Sequence, residues 1–264
     1  MRHLPRKRFG QNFLRDDLII DNIIRAVAPS ERDHIVEIGP GYGALTQGLI
    51  SSGCRLDAIE LDRDMRASLL AAFSTFSGFA LHSADALEFD FRSLLGQEGR
   101  FRVVGNLPYN ISSALIFKLL NDASVIADMH FMLQLEVVER LAAKPGSKNW
   151  GRLSVMTQFQ CTVEHLFIVP PEAFYPQPRV QSAVVRLTPH PEPPYPEVSQ
   201  DALSKVVAQA FSTRRKTLRN NFRNTLCNDD FEHLKIEPNN RPENLTLQEF
   251  TAIAKHVEGT RGPA

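Results

Sequence analysis

The chain has 264 residues, 43% hydrophobic and 23% charged, and its 30 basic and 30 acidic side chains cancel. No stretch approaches the roughly 18 uninterrupted apolar residues of a membrane helix, so a membrane-embedded chain is not expected. The length suits one large α/β domain with a smaller appendage. In chain order, residues 34–39 read as a short buried strand ending in glycine, followed by a helix over 45–51 and a strand over 55–59. The pattern continues with a helix over 65–73 and strands over 79–82 and 101–104. A helix over 115–120, a strand over 129–135 and a helix over 136–142 come next, the last cut off by Lys144-Pro145-Gly146. Helix alternating with strand implies an α/β fold, a mostly parallel sheet covered on both faces. The β-rich runs 153–163 and 183–187 are expected to close it as an antiparallel pair, giving seven strands. Between Pro189 and Pro196 five residues of eight are proline, which neither pairs inside a sheet nor continues a helix, so a linker is expected over 191–200. Runs 201–211, 216–226 and 247–257 carry apolar residues at three- and four-residue spacing. The expected division is therefore an arm plus α/β domain over 1–190 and a small helical domain over 201–264.

The basic start, Met1 to Phe13, lacks the continuous apolar segment of a secretory signal. Cys54, Cys161 and Cys227 lie far apart and form no C-x-x-C pair, so neither disulfides nor a metal centre is expected, and a reducing cytoplasm fits. The neutral total hides two basic patches. No acid occurs from Ala202 to Asn228, whereas Lys205, Arg214, Arg215, Lys216, Arg219 and Arg223 do, and Arg2, Arg6, Lys7, Arg8 and Arg15 precede the first acid, Asp16. Arg215, Arg219 and Arg223 recur every four residues and would share one face of a helix. That is a footprint for nucleic-acid phosphates, against the plainer reading of a solvated charged face.

Four strand ends carry chemistry. Gly39-Pro40-Gly41-Tyr42-Gly43 lies between a strand and a helix, where glycines let the backbone approach a nucleoside cofactor. Gly39, Gly41 and Ala44 equally satisfy a dinucleotide pattern, which leaves a dehydrogenase open. Glu60 ends the second strand, where a carboxylate can accept from both ribose hydroxyls. Asp85 follows the third strand and could accept from a cofactor adenine; alone it reads as a turn or helix cap. Asn106-Leu107-Pro108-Tyr109 follows the fourth: the amide oxygen and the carbonyl before the proline can accept both N–H bonds of an exocyclic amino group while the Tyr ring stacks on the base. All four fall at the carboxyl ends of the strands, where open α/β sheets bind ligands.

These residues resemble the ribosomal RNA adenine dimethyltransferase family. So do Arg8-Phe9-Gly10-Gln11-Asn12-Phe13-Leu14, Gln134-Leu135-Glu136-Val137-Val138, Gly151-Arg152-Leu153-Ser154-Val155 and the run from Phe174 to Val185, a likeness over nearly the whole chain. The departure is Arg179-Val180-Gln181-Ser182, where the family usually has Lys-Val-Asp-Ser. Length, helical tail and opening motif place the chain nearest the bacterial small-subunit branch. The resemblance implies a Rossmann-like domain using S-adenosylmethionine, with Asn12 and Leu14 over its methionine part and Gly39 and Gly41 in the loop. It puts Glu60 on the ribose, Asp85 on the adenine, and Leu61 and Ala86 about the adenine ring. Asn106 would touch cofactor and target, the Leu107 carbonyl and Pro108 would complete the acceptor turn, and Tyr109 and Phe174 would stack the base. Arg215, Lys216, Arg219 and Arg223 would hold RNA. The implied partner is small-subunit rRNA in an immature subunit, bound by a monomer. A large-subunit methyltransferase and an assembly factor with secondary catalysis stay open.

Overall fold

The structure is a computed structural model that describes residues 12–95, 99–213 and 215–261. The basic start up to Gln11, and Arg214, lie outside these residues. The chain divides into two compact units, one of Met1–Val138 with Val163–Pro189, the other of Glu139–Thr162 with His190–Ala264.

The first unit opens with strand β1 (Phe13–Leu14) and helix α1 (Asp17–Val27). It then alternates β2 (His34–Ile38), α2 (Thr46–Ile50), β3 (Arg55–Ile59), α3 (Arg63–Phe73), β4 (Phe79–His82), β5 (Phe101–Asn106), α4 (Ser112–Asn121) and β6 (Ile126–Gln134). Helix α5 (Leu135–Leu141) leads out of it, and β7 (Cys161–Val169), β8 (Phe174–Tyr175) and β9 (Ser182–Pro189) complete it. Seven strands form one sheet in the order β4-β3-β2-β5-β6-β9-β7. The first five pair in parallel, and β9 runs antiparallel to β6. The near-continuous burial of β2 and β3 is what a parallel sheet covered on both faces demands. The chain builds outward from β2 through β3 to β4, then returns to add β5 on the other side of β2. That reversal brings the ends of β2 and β5 side by side, Val36 opposite Val103 and Glu37 opposite Val104.

Helix α1 was not anticipated, although its signals are local. Asp16 Oδ1 accepts from the Leu18 and Ile19 amides at 3.0 and 3.1 Å, a side-chain N-cap. The apolar positions 19, 20, 23, 24 and 27 form one stripe, and the last turn closes on Ala28 at φ 47°. Beneath the sheet's other end, Asp57 on β3 accepts from His34 on β2 at 2.7 Å and His82 on β4 at 2.6 Å, with Arg55 at 3.2 Å. Burial alone would raise this carboxyl, but the two histidine bonds and the Arg55 charge outweigh it and hold it at about 2.

In the second unit, α6 (Arg152–Gln160), α7 (Gln200–Ala210) and α10 (Leu247–Arg261) pack on one another, with the shorter α8 (Leu218–Asn221) and α9 (Asn228–His233) beside them. Two expectations are corrected here. The 153–163 run is not a strand partner of 183–187: it is helix α6, and only from Cys161 does it extend into β7. Ser154 Oγ accepts from the Gly151 amide at 3.1 Å to start the helix. Its residues 154–157 and 159 are all buried, so no polar face exists to reveal a helical period. Residues 139–162 consequently belong with the C-terminal unit rather than to a continuous 1–190 domain. Trp150, 1% exposed, donates its indole N–H to the Leu245 carbonyl at 2.8 Å within that unit. Second, 216–226 is not one helix but the single turn α8. The amides of Leu218 and Arg219 donate to the Asn240 and Pro238 carbonyls, and the Asn221 side chain donates to the Ala210 carbonyl at 2.7 Å. Asparagine side chains competing for backbone groups stop the helix. The proline-rich coil ends at Ser199, whose side chain caps α7.

Asp57 gives a pH test. Its folded pKa lies below the ordinary carboxylate value, so its stabilisation is present above about 4 and is lost as pH falls through about 2. Asp57→Asn is expected to lower urea-melt stability by about 2 kcal/mol at pH 7, with a gap that narrows steadily below pH 4. A gap that stays constant with pH would show that the carboxylate's charge contributes nothing.

Candidate active site

A cavity of about 660 Å³ opens where the loops after β2, β3, β4 and β5 converge, with residues 12–15 along one wall. Asn12, Leu14, Gly39, Gly41, Glu60, Leu61, Asp85, Ala86, Asn106, Leu107, Pro108 and Tyr109 all line it. The reversal of strand order is what gathers them.

At the loop after β2, Gly41 adopts φ 60°, which favours glycine, and an added Cβ 3.2 Å from the Phe13 ring would also make that ring shift. The Gly41 amide donates to Glu60 Oε2 at 3.2 Å, and the Asp62 amide donates to Oε1 at 2.8 Å. Glu60 is 8% exposed, and burial raises its pKa against these two amide bonds. A carboxylate has about four lone-pair sites, so two acceptor directions remain for a ribose diol. Asp85 Oδ1 caps the Leu87 amide at 2.8 Å, and the residue also lines the cavity. Leu61 is 49% exposed and Ala86 only 8%, an open and a closed apolar wall on the same cavity.

At the end of β5, Asn106 Nδ2 donates to the Asn12 carbonyl at 3.0 Å. That bond commits the amide nitrogen and leaves Oδ1 as the acceptor. The Leu107 amide donates to the Met132 carbonyl at 3.2 Å, and the Pro108 carbonyl accepts from the Ile111 and Ser112 amides, so the turn is fixed before any ligand arrives. Tyr109 is held by a 2.9 Å bond between its hydroxyl and Ser182 Oγ, with burial raising its pKa. At the departure from the family pattern, the Gln181 side chain is exposed and its carbonyl accepts from the Leu135 amide at 2.9 Å.

Phe174 is not with these residues. It is 5% exposed, packed in the core cluster and opposite Leu14 in the β1–β8 ribbon, and it does not line the cavity. The alternation of the ribbon turns its ring to the same side as Leu14. Arg215, Lys216, Arg219 and Arg223 are exposed in the second unit, and among the described residues none forms an ion pair. Only Arg219 lies in α8, so the shared helical face is absent.

Among the cavity residues given no role from the sequence, one is a buried acid. Glu37 on β2 is 2% exposed and accepts from Thr46 Oγ1 at 2.6 Å. Burial, opposed by the Thr46 bond and reinforced by the Glu60 charge, pushes its carboxyl up to about 7. The available signal was an acid inside the apolar strand His34-Ile35-Val36-Glu37-Ile38.

The model of the ribosomal RNA adenine dimethylase family matches residues 2–258. The chain belongs to that family. This dimethylase-family chain is 55% identical over 255 residues to the ribosomal RNA small subunit methyltransferase A of Pseudomonas aeruginosa, covering 97% of this chain and 95% of that one. Its structure is similar to a dimethyladenosine transferase from Plasmodium falciparum, with TM-score 0.78 and 26% identity, covering 91% and 95% of the two chains. The 23S rRNA methyltransferase ErmE shares the fold, with TM-score 0.71, 22% identity and coverage of 93% and 99%. Family membership removes the dehydrogenase reading of Gly39-x-Gly41-x-x-Ala44. The cavity's lining, a buried carboxyl at Glu60, a half-buried one at Asp85 and apolar walls at Leu61 and Ala86, fits S-adenosylmethionine.

Glu37 makes a measurable claim with the opposite sign to Asp57. A raised folded pKa contributes stability that is complete below about 4.5 and is lost as pH rises through about 7. Relative to the native chain, Glu37→Gln should therefore gain on the order of 2 kcal/mol between pH 5 and pH 8 in urea melts. A difference that does not change with pH would remove Glu37 as a buried proton carrier.

Proposed function

We propose that this chain transfers methyl groups from S-adenosylmethionine to the N6 amino groups of two adjacent adenines, dimethylating each, in a hairpin loop near the 3′ end of small-subunit rRNA. The observation that carries the reading is the convergence of the glycine loop, Glu60 and Asn106 on one cavity. The 55% identity to a small-subunit enzyme favours this substrate over the large-subunit one. The bound cofactor supplies an electrophilic methyl on sulfur, and everything else falls to the chain's own side chains.

An adenine amino group is a poor nucleophile because its lone pair is delocalised into the ring. Asn106 Oδ1, freed by the bond from Nδ2 to Asn12, and the Leu107 carbonyl accept hydrogen bonds from its two N–H groups and draw the nitrogen toward a pyramidal geometry with the lone pair free. Tyr109, anchored on Ser182, offers its ring to the base. After transfer the charged nitrogen is acidic enough to release a proton to water, so no strong base is needed. We infer that the chain works as a monomer in the cytoplasm on rRNA within an immature small subunit. The exposed Arg215, Lys216, Arg219 and Arg223 supply phosphate contacts.

Small subunits from a strain lacking the modification provide the assay, with mass spectrometry of the rRNA fragments as the readout. Two dimethyladenosines should appear with the native chain; their absence, or methylation of large-subunit rRNA instead, rejects the reading. Asn106→Ala is expected to lower kcat by about 10²-fold, the cost of one lost acceptor at developing charge, while RNA binding persists. Arg219→Ala with Arg223→Ala should reduce the magnitude of the salt slope of RNA binding by roughly two. A double variant with the native slope would take those residues out of the interface.

A further inference from the structure

The β1–β8 ribbon sorts its side chains by face. Leu14 lies opposite Phe174 and Phe13 opposite Tyr175. Directly opposed residues in an antiparallel pair project to the same side, and neighbours along each strand to opposite sides. The Leu14–Phe174 pair goes into the core, 6% and 5% exposed. The Phe13–Tyr175 pair must then face outward, and Tyr175 is 53% exposed. Phe13 in turn packs on Tyr42, 45% exposed, with ring centroids 4.7 Å apart. The ribbon continues into Arg15, whose amide donates to the Ala173 carbonyl at 2.8 Å and whose guanidinium lies 4.3 Å above the Tyr175 ring. Arg15, Phe13 and Tyr42 line the same cavity as Asn106 and Tyr109. Among the described residues Arg15 forms no ion pair, and its guanidinium packs on the Tyr175 ring.

Large aromatic surface left in water beside a guanidinium, adjoining the cavity that Arg15, Phe13 and Tyr42 line, has a specific chemical complement. A nucleic-acid strand offers flat bases for the planes and phosphates for the charge. A guanidinium does both at once, stacking through its face and donating N–H bonds from its edge. The geometry points to Arg15 on Tyr175 as the subsite for the nucleotide next to the extruded adenine. This rests on the RNA methyltransferase reading above. Its base stacks on the open face of the Arg15 guanidinium in a base–Arg15–Tyr175 pile, and its phosphate meets the guanidinium edge. Every base has such a face, so the subsite holds the strand in place without reading its sequence, and the choice of adenine stays with Asn106 and Leu107.

The test uses the full chain with S-adenosylhomocysteine and a hairpin RNA carrying 2-aminopurine beside the target adenine, so that no turnover is needed. Native protein should quench the 2-aminopurine fluorescence by stacking. Tyr175→Ala should lose most of that quenching and bind the RNA about tenfold more weakly, while Tyr175→Trp restores both. Arg15→Ala should lower the magnitude of the salt slope by about one, and Arg15→Lys should recover the slope but not the quenching. Arg15 is exposed, so its variants serve if Tyr175→Ala fails to fold. Absence of quenching by the native chain, or native quenching and affinity in Tyr175→Ala and Arg15→Ala, overturns the subsite. Loss of methylation by the native chain on small-subunit rRNA is a separate result, which sinks the enzymatic reading instead.

Discussion

The pairing of His34–Ile38 with Phe101–Asn106 is the constraint on which the site depends. Parallel strands need long connections, and this chain spends two of them moving away from β2 before it comes back to the other side. The loops leaving β2 and β5 then have no helix between them, and a backbone carbonyl of Asn106 comes within 3.9 Å of where a Cβ on Gly39 would stand. A cofactor loop and an acceptor amide that are far apart in sequence are thereby held to the spacing of two hydrogen-bonded strands.

Three carboxyls on the strands or at their ends are driven in different directions by their environments. Asp57, met by two histidines and an arginine, stays ionised even at low pH. Glu37, with one hydroxyl donor and the Glu60 charge nearby, is pushed toward protonation. Glu60 is raised by desolvation against two backbone amides that hold it at the cavity. Partner count separates the acid that ties three strands together from the acids that face a ligand. A buried carboxyl lacking good donors is an expensive feature for a fold to keep, which is why such groups gather at binding sites.

The short β1–β8 ribbon shows how little structure is needed to build two different surfaces. Four residues, alternating in and out, close the core with Leu14 and Phe174 and turn Phe13 and Tyr175 to the opposite face. A register shift of one residue would exchange the two faces.

Much of this was legible in the residues themselves. Strand ends bearing glycine, Glu60, Asp85 and Asn106-Leu107-Pro108-Tyr109 are local signals, because turn chemistry and hydrophobic period act over a few residues; α1 was equally legible and was passed over. What the chain could not disclose locally was decided by packing. Helix α6 buries residues 154–157 in succession and so shows no clear period. The basic run around Arg219 was denied its helix when Asn221 and the 238–240 segment claimed its backbone bonds. Phe174 and Tyr175 are adjacent aromatics of similar size, and only pairing with Leu14 and Phe13 sends one into the core and the other into solvent. Sequence determines which groups are available and where the chain turns; which face each group occupies follows from strand register and burial, since these depend on residues far away along the chain.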